Sequence, residues 1–247
     1  MAQQSQQMKS VQVTLQEVRE EAPGVKSFLF KYDRNNFHYK SGQIVLLFPE
    51  EGNPNLRHAF SIASSPTEDL LILSTMIRAE SPYKSRLNAL KPGDAVSLMG
   101  PGGQFGLPEQ PADQVVLLGG GIGITPFRSI IKYATDTKLP NKITLLYANR
   151  TPEDIVYKDD WKEYEAQNPH LTIIQTITHP GESKIEWKGR VGRIDANLIR
   201  EHVENLDKAL FYVCGPPSLV TDLTNILSGM GISGAQIRTE NFRGYAD

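Results

Sequence analysis

The run Gln114-Val115-Val116-Leu117-Leu118 passes directly into Gly119-Gly120-Gly121-Ile122-Gly123-Ile124-Thr125-Pro126. Unbroken apolar residues fit a strand covered on both faces, and the glycines permit a turn that residues with a Cβ resist. Gly121 and Gly123 leave backbone N–H groups open to the close approach of a phosphate. Thr125 as N-cap and Pro126 at the first helical position predict a helix start, whose free amides and dipole favour an anion. The spacing suits a pyrophosphate, although a plain strand–turn–helix junction has the same pattern. It departs from the usual dinucleotide fingerprint twice. Pro126 stands near the third glycine's place, and the next predicted strand, Ile143 to Tyr147, runs into Ala148-Asn149-Arg150 without a carboxylate.

Working outward, strands and helices alternate beyond this point: helix Pro126 to Thr137, helix Lys158 to Asn168, strand Thr172 to Thr178, helix Asp195 to Val203, strand Leu210 to Cys214 and helix Pro217 to Met230. Alternation at this spacing predicts a parallel, helix-covered sheet. Upstream the pattern changes to short β-like runs between turn residues: Val11 to Val18, Val25 to Tyr32, Ile44 to Phe48, Ala59 to Ala63, Leu70 to Ile77 and Ala95 to Met99. Those runs predict a small antiparallel barrel. One helix interrupts it, with Ser81 as cap and Pro82 at the first helical position. The fold class is therefore two-domain, with an antiparallel β-barrel over residues 1–108 (1–9 a frayed polar tail) followed by an α/β parallel-sheet domain over 109–247.

The chain's 247 residues can bury a substantial core. A near balance of charge, with 26 Lys and Arg against 28 Asp and Glu, gives no electrostatic case for nucleic acid, and no apolar stretch is long enough to span a bilayer. A single cysteine, Cys214, excludes an intrachain disulfide, an intrachain cysteine-ligated iron–sulfur cluster and a cysteine-rich zinc site. No metal is expected, and the reading fits a reducing cytoplasm.

Four segments in order carry a resemblance: Arg57-His58-Ala59-Phe60-Ser61-Ile62-Ala63-Ser64-Ser65-Pro66, Gly100-Pro101-Gly102-Gly103-Gln104-Phe105, Gly119 to Pro126, and Cys214-Gly215-Pro216-Pro217. Together they resemble the ferredoxin–NADP reductase family over nearly the whole chain. The resemblance implies an FAD-binding barrel joined to a nicotinamide dinucleotide domain, with the two cofactors meeting in a cleft. The family's Arg-x-Tyr-Ser flavin sequence aligns with His58-Ala59-Phe60-Ser61, so His58 takes the arginine's place and Arg57 lies one residue earlier. Phe60 would stack on the flavin and Ser61 would contact its reactive edge. The helix opening Pro82-Tyr83-Lys84-Ser85 corresponds to the segment that receives the flavin pyrophosphate, with Tyr83 and Lys84 as candidate contacts.

For the nicotinamide dinucleotide, the resemblance implies Gly121, Gly123, Ile124 and Thr125 at the pyrophosphate, and Cys214, Gly215 and Pro216 beside the nicotinamide. Glu240 and Phe242 match the family's terminal Glu-x-aromatic segment: Glu240 near the reacting edge, Phe242 over the flavin face, with Tyr245 as the alternative covering ring. Arg150 stands where the family distinguishes NADP from NAD. A guanidinium there can hold a 2′-phosphate, and the absence of an acid favours NADP, NAD remaining possible. Arg190 and Arg193 are further basic candidates. Ser61, Cys214 and Glu240 are the candidate catalytic residues. The implied activity is an FAD-dependent NAD(P)H oxidoreductase that passes electrons to a separate acceptor, first a ferredoxin or flavodoxin. The alternatives are an electron-transfer subunit of a multicomponent oxygenase or dehydrogenase, and a free-flavin or ferric-chelate reductase.

Overall fold

The computed structural model describes residues 9–50, 53, 55–108, 112 and 114–242. Residues 1–8 of the predicted polar tail, and Tyr245, lie outside the described residues. Lys9, expected in that tail, instead begins a strand and pairs with Gly100.

The first half forms one six-stranded antiparallel sheet from β1 (Lys9–Ala22), β2 (Val25–Lys31), β3 (Ile44–Phe48), β4 (His58–Ser61), β5 (Leu71–Met76) and β6 (Ala95–Gly102), in the order β4-β3-β6-β1-β2-β5. The sheet curls until its edges meet: Ile62 bridges Leu73, and the Ala63 amide donates to the Ile72 carbonyl at 2.8 Å. Period-two alternation sorts its side chains. Phe28, Phe30, Leu71 and Leu73 point into the barrel, whereas Leu29 and Ile72 point outward into a second core shared with the other half. The helix α1 (Pro82–Asn88) is capped as expected by Ser81, whose Oγ accepts from the Lys84 amide at 3.3 Å. It buries Tyr83 and Leu87 against the barrel.

The second half is a parallel sheet ordered β10-β9-β8-β7-β11-β12. Its elements are β7 (Gln114–Gly120), α2 (Thr125–Asp136), β8 (Lys142–Asn149), α3 (Lys158–Gln167), β9 (Leu171–Ile177), β10 (Arg190–Val191), α4 (Ala196–His202), β11 (Ala209–Gly215), α5 (Pro217–Gly229) and β12 (Ile237–Asn241). β7 is central and covered on both faces: Val115 and Leu117 pack in one core, Val116 and Leu118 in the other. Each such fully buried side chain contributes roughly 1.5–3 kcal/mol before conformational entropy is subtracted. From β7 the chain winds one way to β8 and returns on the other side as β11. This reversal opens a crevice at the carboxyl ends of β7 and β11, where α/β folds bind ligands.

The two halves pack tightly. Arg128 on α2 has a side chain only 7% exposed, and its guanidinium donates to both Glu68 carboxylate oxygens, to Asp160 and to the Ala63 carbonyl. Ser129 Oγ donates to the Ser64 carbonyl at 2.6 Å, and Tyr157 donates to Ser74 Oγ at 2.5 Å. Phe105 stacks on Phe127 with centroids 5.9 Å apart, next to Tyr212.

Two local expectations are corrected. A 3-10 turn over Gly121–Ile124 precedes α2 without a break, so the helical amides begin at Gly121 and Thr125 is a buried helical residue, not a cap. Strands β10 and β12 are also additions to the sequence reading.

Candidate functional site

Strand β4 carries His58-Ala59-Phe60-Ser61 along one wall of a cleft between the two halves. The cleft encloses about 320 Å³ and is also lined by Ile44, Ser74, Gly103, Thr125, Glu240, Asn241 and Phe242. Pairing with β3 sets Ile44 opposite Ser61 and Val45 opposite Phe60. Phe60, His58 and Tyr83 form an aromatic group, with His58 5.4 Å from each of the other two ring centroids. Burial, and then the nearby Lys84 charge, push the His58 imidazole down to about 4, so it is neutral near pH 7. It cannot supply the fixed charge of an arginine at that position. Arg57, one residue earlier, is exposed.

The nearby cation is Lys84. Sequence alone leaves it between a phosphate ligand and a solvated helix face. The structure buries it, with Nζ donating to Thr75 Oγ1 and lying 5.1 Å from the Phe60 ring centroid. Burial, and then Arg78, push its ammonium down to about 8. Ser85 is exposed and Pro82 begins the helix.

Glu240 and Phe242 arrive from the other half. β12 lies parallel to β11 with Cys214 opposite Glu240, which delivers Glu240 to Ser61, whose hydroxyl donates to Oε1. Burial raises the Glu240 carboxyl above its usual range, and the Ser61 hydrogen bond opposes that rise only in part. The Phe242 amide donates to the Gly215 carbonyl at 2.9 Å, and its ring shares the cleft wall with Phe60. The sequence predicts Cys214 where the cleft opens. Instead it is fully buried in the core that also holds Ile122 and Phe127, with Glu240 opposite on the neighbouring strand, and burial pushes its thiol well up.

The glycine turn has a packing role as well. A Cβ on Gly123 would lie 2.5 Å from the Gly215 Cα, so the close approach of the β7 and β11 turns requires a glycine here. Gly121 suits the original expectation: its φ is +53°, a left-handed conformation, and nothing lies within 4 Å of where its Cβ would be. Ile124 is buried behind the turn, and Pro216 leads into α5.

Arg150 follows β8 on the surface, but not free of acids. Its Nε and Nη2 donate to the two Glu182 carboxylate oxygens, each at 2.7 Å. The sequence around Arg150 shows no carboxylate for this place because Glu182 comes from the loop after β9. Arg190 and Arg193 pair elsewhere, with Glu201 and Asp222.

The residues fit a flavin. The cleft volume falls in the ~300–1,000 Å³ range of ligand sites. Aromatic and aliphatic walls suit a flat ring, the Ser61–Glu240 pair supplies a polar edge, and buried Lys84 supplies a cation beside the α1 start.

The antiparallel barrel and the parallel sheet meeting at this cleft have the two-domain fold of ferredoxin reductase-like proteins. Residues 117–225 match the oxidoreductase NAD-binding domain family. The fold resembles Amycolatopsis cytochrome P450 reductase GcoB (TM-score 0.82, 23% identity, covering 95% of this chain and 70% of that one). It also resembles a Neisseria gonorrhoeae ferredoxin NADP+ reductase solved with FAD and NADP (TM-score 0.79, 21% identity, covering 94% and 98%). In sequence, one subunit of the Na(+)-translocating NADH-quinone reductase of Klebsiella pneumoniae is 30% identical over 210 residues, covering 79% of this chain and 51% of the relative. The chain thus spans about half the length of the curated relatives it matches. Among the described residues, no helix is long and apolar enough to cross a membrane.

Proposed function

We propose that this protein takes hydride from NAD(P)H onto bound FAD and passes the electrons to a separate redox protein, a ferredoxin or flavodoxin being the first candidate class. The observation that carries the reading is the convergence of Ser61 from the barrel and Glu240 from the parallel sheet in one aromatic-walled cleft. When bound, FAD supplies the chemistry of accepting a hydride and releasing electrons one at a time. The chain's own groups do the rest. Phe60 and Phe242 sandwich a flat ring, and Ser61 presents a hydroxyl at its edge. Glu240 places its carboxyl group there, its ionisation disfavoured by burial. Lys84, Arg57 and the first residues of α1, Pro82 to Ser85, hold the flavin phosphates.

In this reading residues 1–108 bind FAD and residues 109–247 bind the nicotinamide dinucleotide. Gly121 to Thr125 receive the pyrophosphate, and Arg150 lies on the adenosine side. Gly215 and Pro216 border the nicotinamide, and Cys214 acts from beneath by packing against Glu240. A cytoplasmic location suits the single buried thiol. A second reading, an electron-transfer subunit of a larger redox assembly, is supported by the similarity to a quinone reductase subunit and to a cytochrome P450 reductase.

The test is reconstitution with FAD, anaerobic mixing with NADPH or NADH, and presentation of ferredoxins, flavodoxins, free flavin and ferric chelate to the reduced protein. Bleaching of the flavin band followed by reduction of a protein acceptor is the expected result. Failure to retain FAD, or to be reduced by either nucleotide, overturns the proposal.

A further inference from the structure

We infer that Glu182 competes with the 2′-phosphate of NADPH for the Arg150 guanidinium and thereby sets the balance between NADPH and NADH; this rests on the dinucleotide reading given above. The acid that nucleotide-binding domains commonly place at the end of the second strand is missing from the sequence after β8. In space a carboxylate is there, contributed by the neighbouring loop.

The pairing is built by the backbone. Strands β8 and β9 run in register through Asn149 and Ile177, and two further bonds tie the loops that leave them. The Thr178 amide donates to the Asn149 carbonyl at 2.9 Å, and the His179 amide donates to the Arg150 carbonyl at 2.8 Å. Three residues later the 3-10 turn Pro180–Glu182 presents its carboxylate to Arg150. Next to it, Ser183 Oγ donates to Glu153 Oε1 at 2.7 Å, which fixes the turn against the residues that follow Arg150.

The geometry of the bond matters. Glu182 uses the Nε–Nη2 edge of Arg150, the edge that holds a phosphate through two parallel N–H groups. Both side chains are about half exposed, so a dianion reaches the guanidinium and the existing pair yields to it. The displaced carboxylate stays tethered close by and repels the phosphate that replaced it. A nucleotide with a plain 2′-hydroxyl meets no such competition. Glu182 therefore acts on the ligand through Arg150, and on one class of ligand only.

Calorimetry with 2′,5′-ADP and 5′-AMP on the FAD-loaded protein tests this without turnover, because the two probes differ only in the 2′-phosphate. Glu182→Gln is expected to tighten 2′,5′-ADP about tenfold while moving 5′-AMP less than about twofold. In the double variant Arg150→Ala/Glu182→Gln the gain is expected to vanish. A gain that persists without Arg150, or an unchanged ratio of the two affinities in Glu182→Gln with 5′-AMP still bound, overturns the inference and leaves the dinucleotide reading standing. Binding of neither probe by wild type or variants overturns both.

Discussion

The Ser61 hydroxyl donates to the Glu240 carboxylate across 179 residues of chain, joining the end of a barrel strand to the end of a parallel-sheet strand. Neither residue reaches the cleft with that geometry unless both sheets have formed and docked. If the pair works at the edge of the flavin, Ser61→Ala and Glu240→Gln should each slow flavin bleaching by NAD(P)H by about tenfold to a thousandfold while FAD stays bound. Stopped-flow absorbance reads this, and wild-type rates in both variants remove them from the catalytic set.

Cys214 should behave as an inert core thiol. It is fully buried and its ionisation is suppressed first by burial and then by Glu240, so the reactive thiolate is scarce. A thiol reagent such as DTNB should leave the native protein unlabelled for hours and titrate one thiol after denaturation. Rapid labelling of the folded protein counts against the position described.

His58 gives a pH dependence whose sign follows from its shift. Its folded value is depressed from 6.5 to about 4, so between those values the unfolded chain binds more protons than the folded one. Its contribution to stability is present above the ordinary histidine value and is lost as pH falls through that window. Urea midpoints of the flavin-free protein should therefore drop more steeply from pH 7 to 4 for wild type than for His58→Gln. Parallel curves contradict the assignment.

Arg128→Ala should be severe. The guanidinium is nearly buried and satisfies Glu68 and Asp160, whose side chains are 19% and 31% exposed, so truncation strands partly buried carboxylates. Breaking such an arrangement from one side costs about 3–5 kcal/mol. A urea melt should show that loss, and a change below about 1 kcal/mol would mean that water already screens the group.

Phe242 stands where a nicotinamide would have to lie if Phe60 carries the flavin. Phe242→Ser should tighten NAD(P)H binding, by about tenfold, because a stacked ring no longer has to be displaced. It should also blur the NADPH preference. Titration through the flavin spectrum measures both, and weaker or unchanged binding means the ring does not cover the flavin.

Much of this architecture is legible in the sequence because period and spacing carry it. Val25 to Tyr32 read as a strand since Phe28 and Phe30 fill one core and Leu29 another, and the unbroken run before Gly119 announces a strand buried on both faces. Strand β12 is not legible: Arg238-Thr239-Glu240 is polar, and it is a strand because β11 offers an edge. Cys214 looks accessible at its strand end because nothing local shows the core that closes over it. Lys84 looks like a surface lysine because nothing local shows that Thr75 and Phe60 close over it. The Arg150–Glu182 pair depends on two loop carbonyls, which no one-dimensional pattern records.

The segment that crosses from barrel to parallel sheet is anchored on its far side. The Gly106 carbonyl accepts from Tyr212 at 2.9 Å and from Arg238 at 2.8 Å, and Phe105 is wedged between Phe127 and Tyr212. A crossing held this way by β11 and β12 resists acting as a hinge, so the two halves should not swing apart to admit a nucleotide. If Phe242 covers the flavin, traffic into the cleft then falls to that one side chain, and turnover would be paced by the flip of one ring instead of the breathing of two domains.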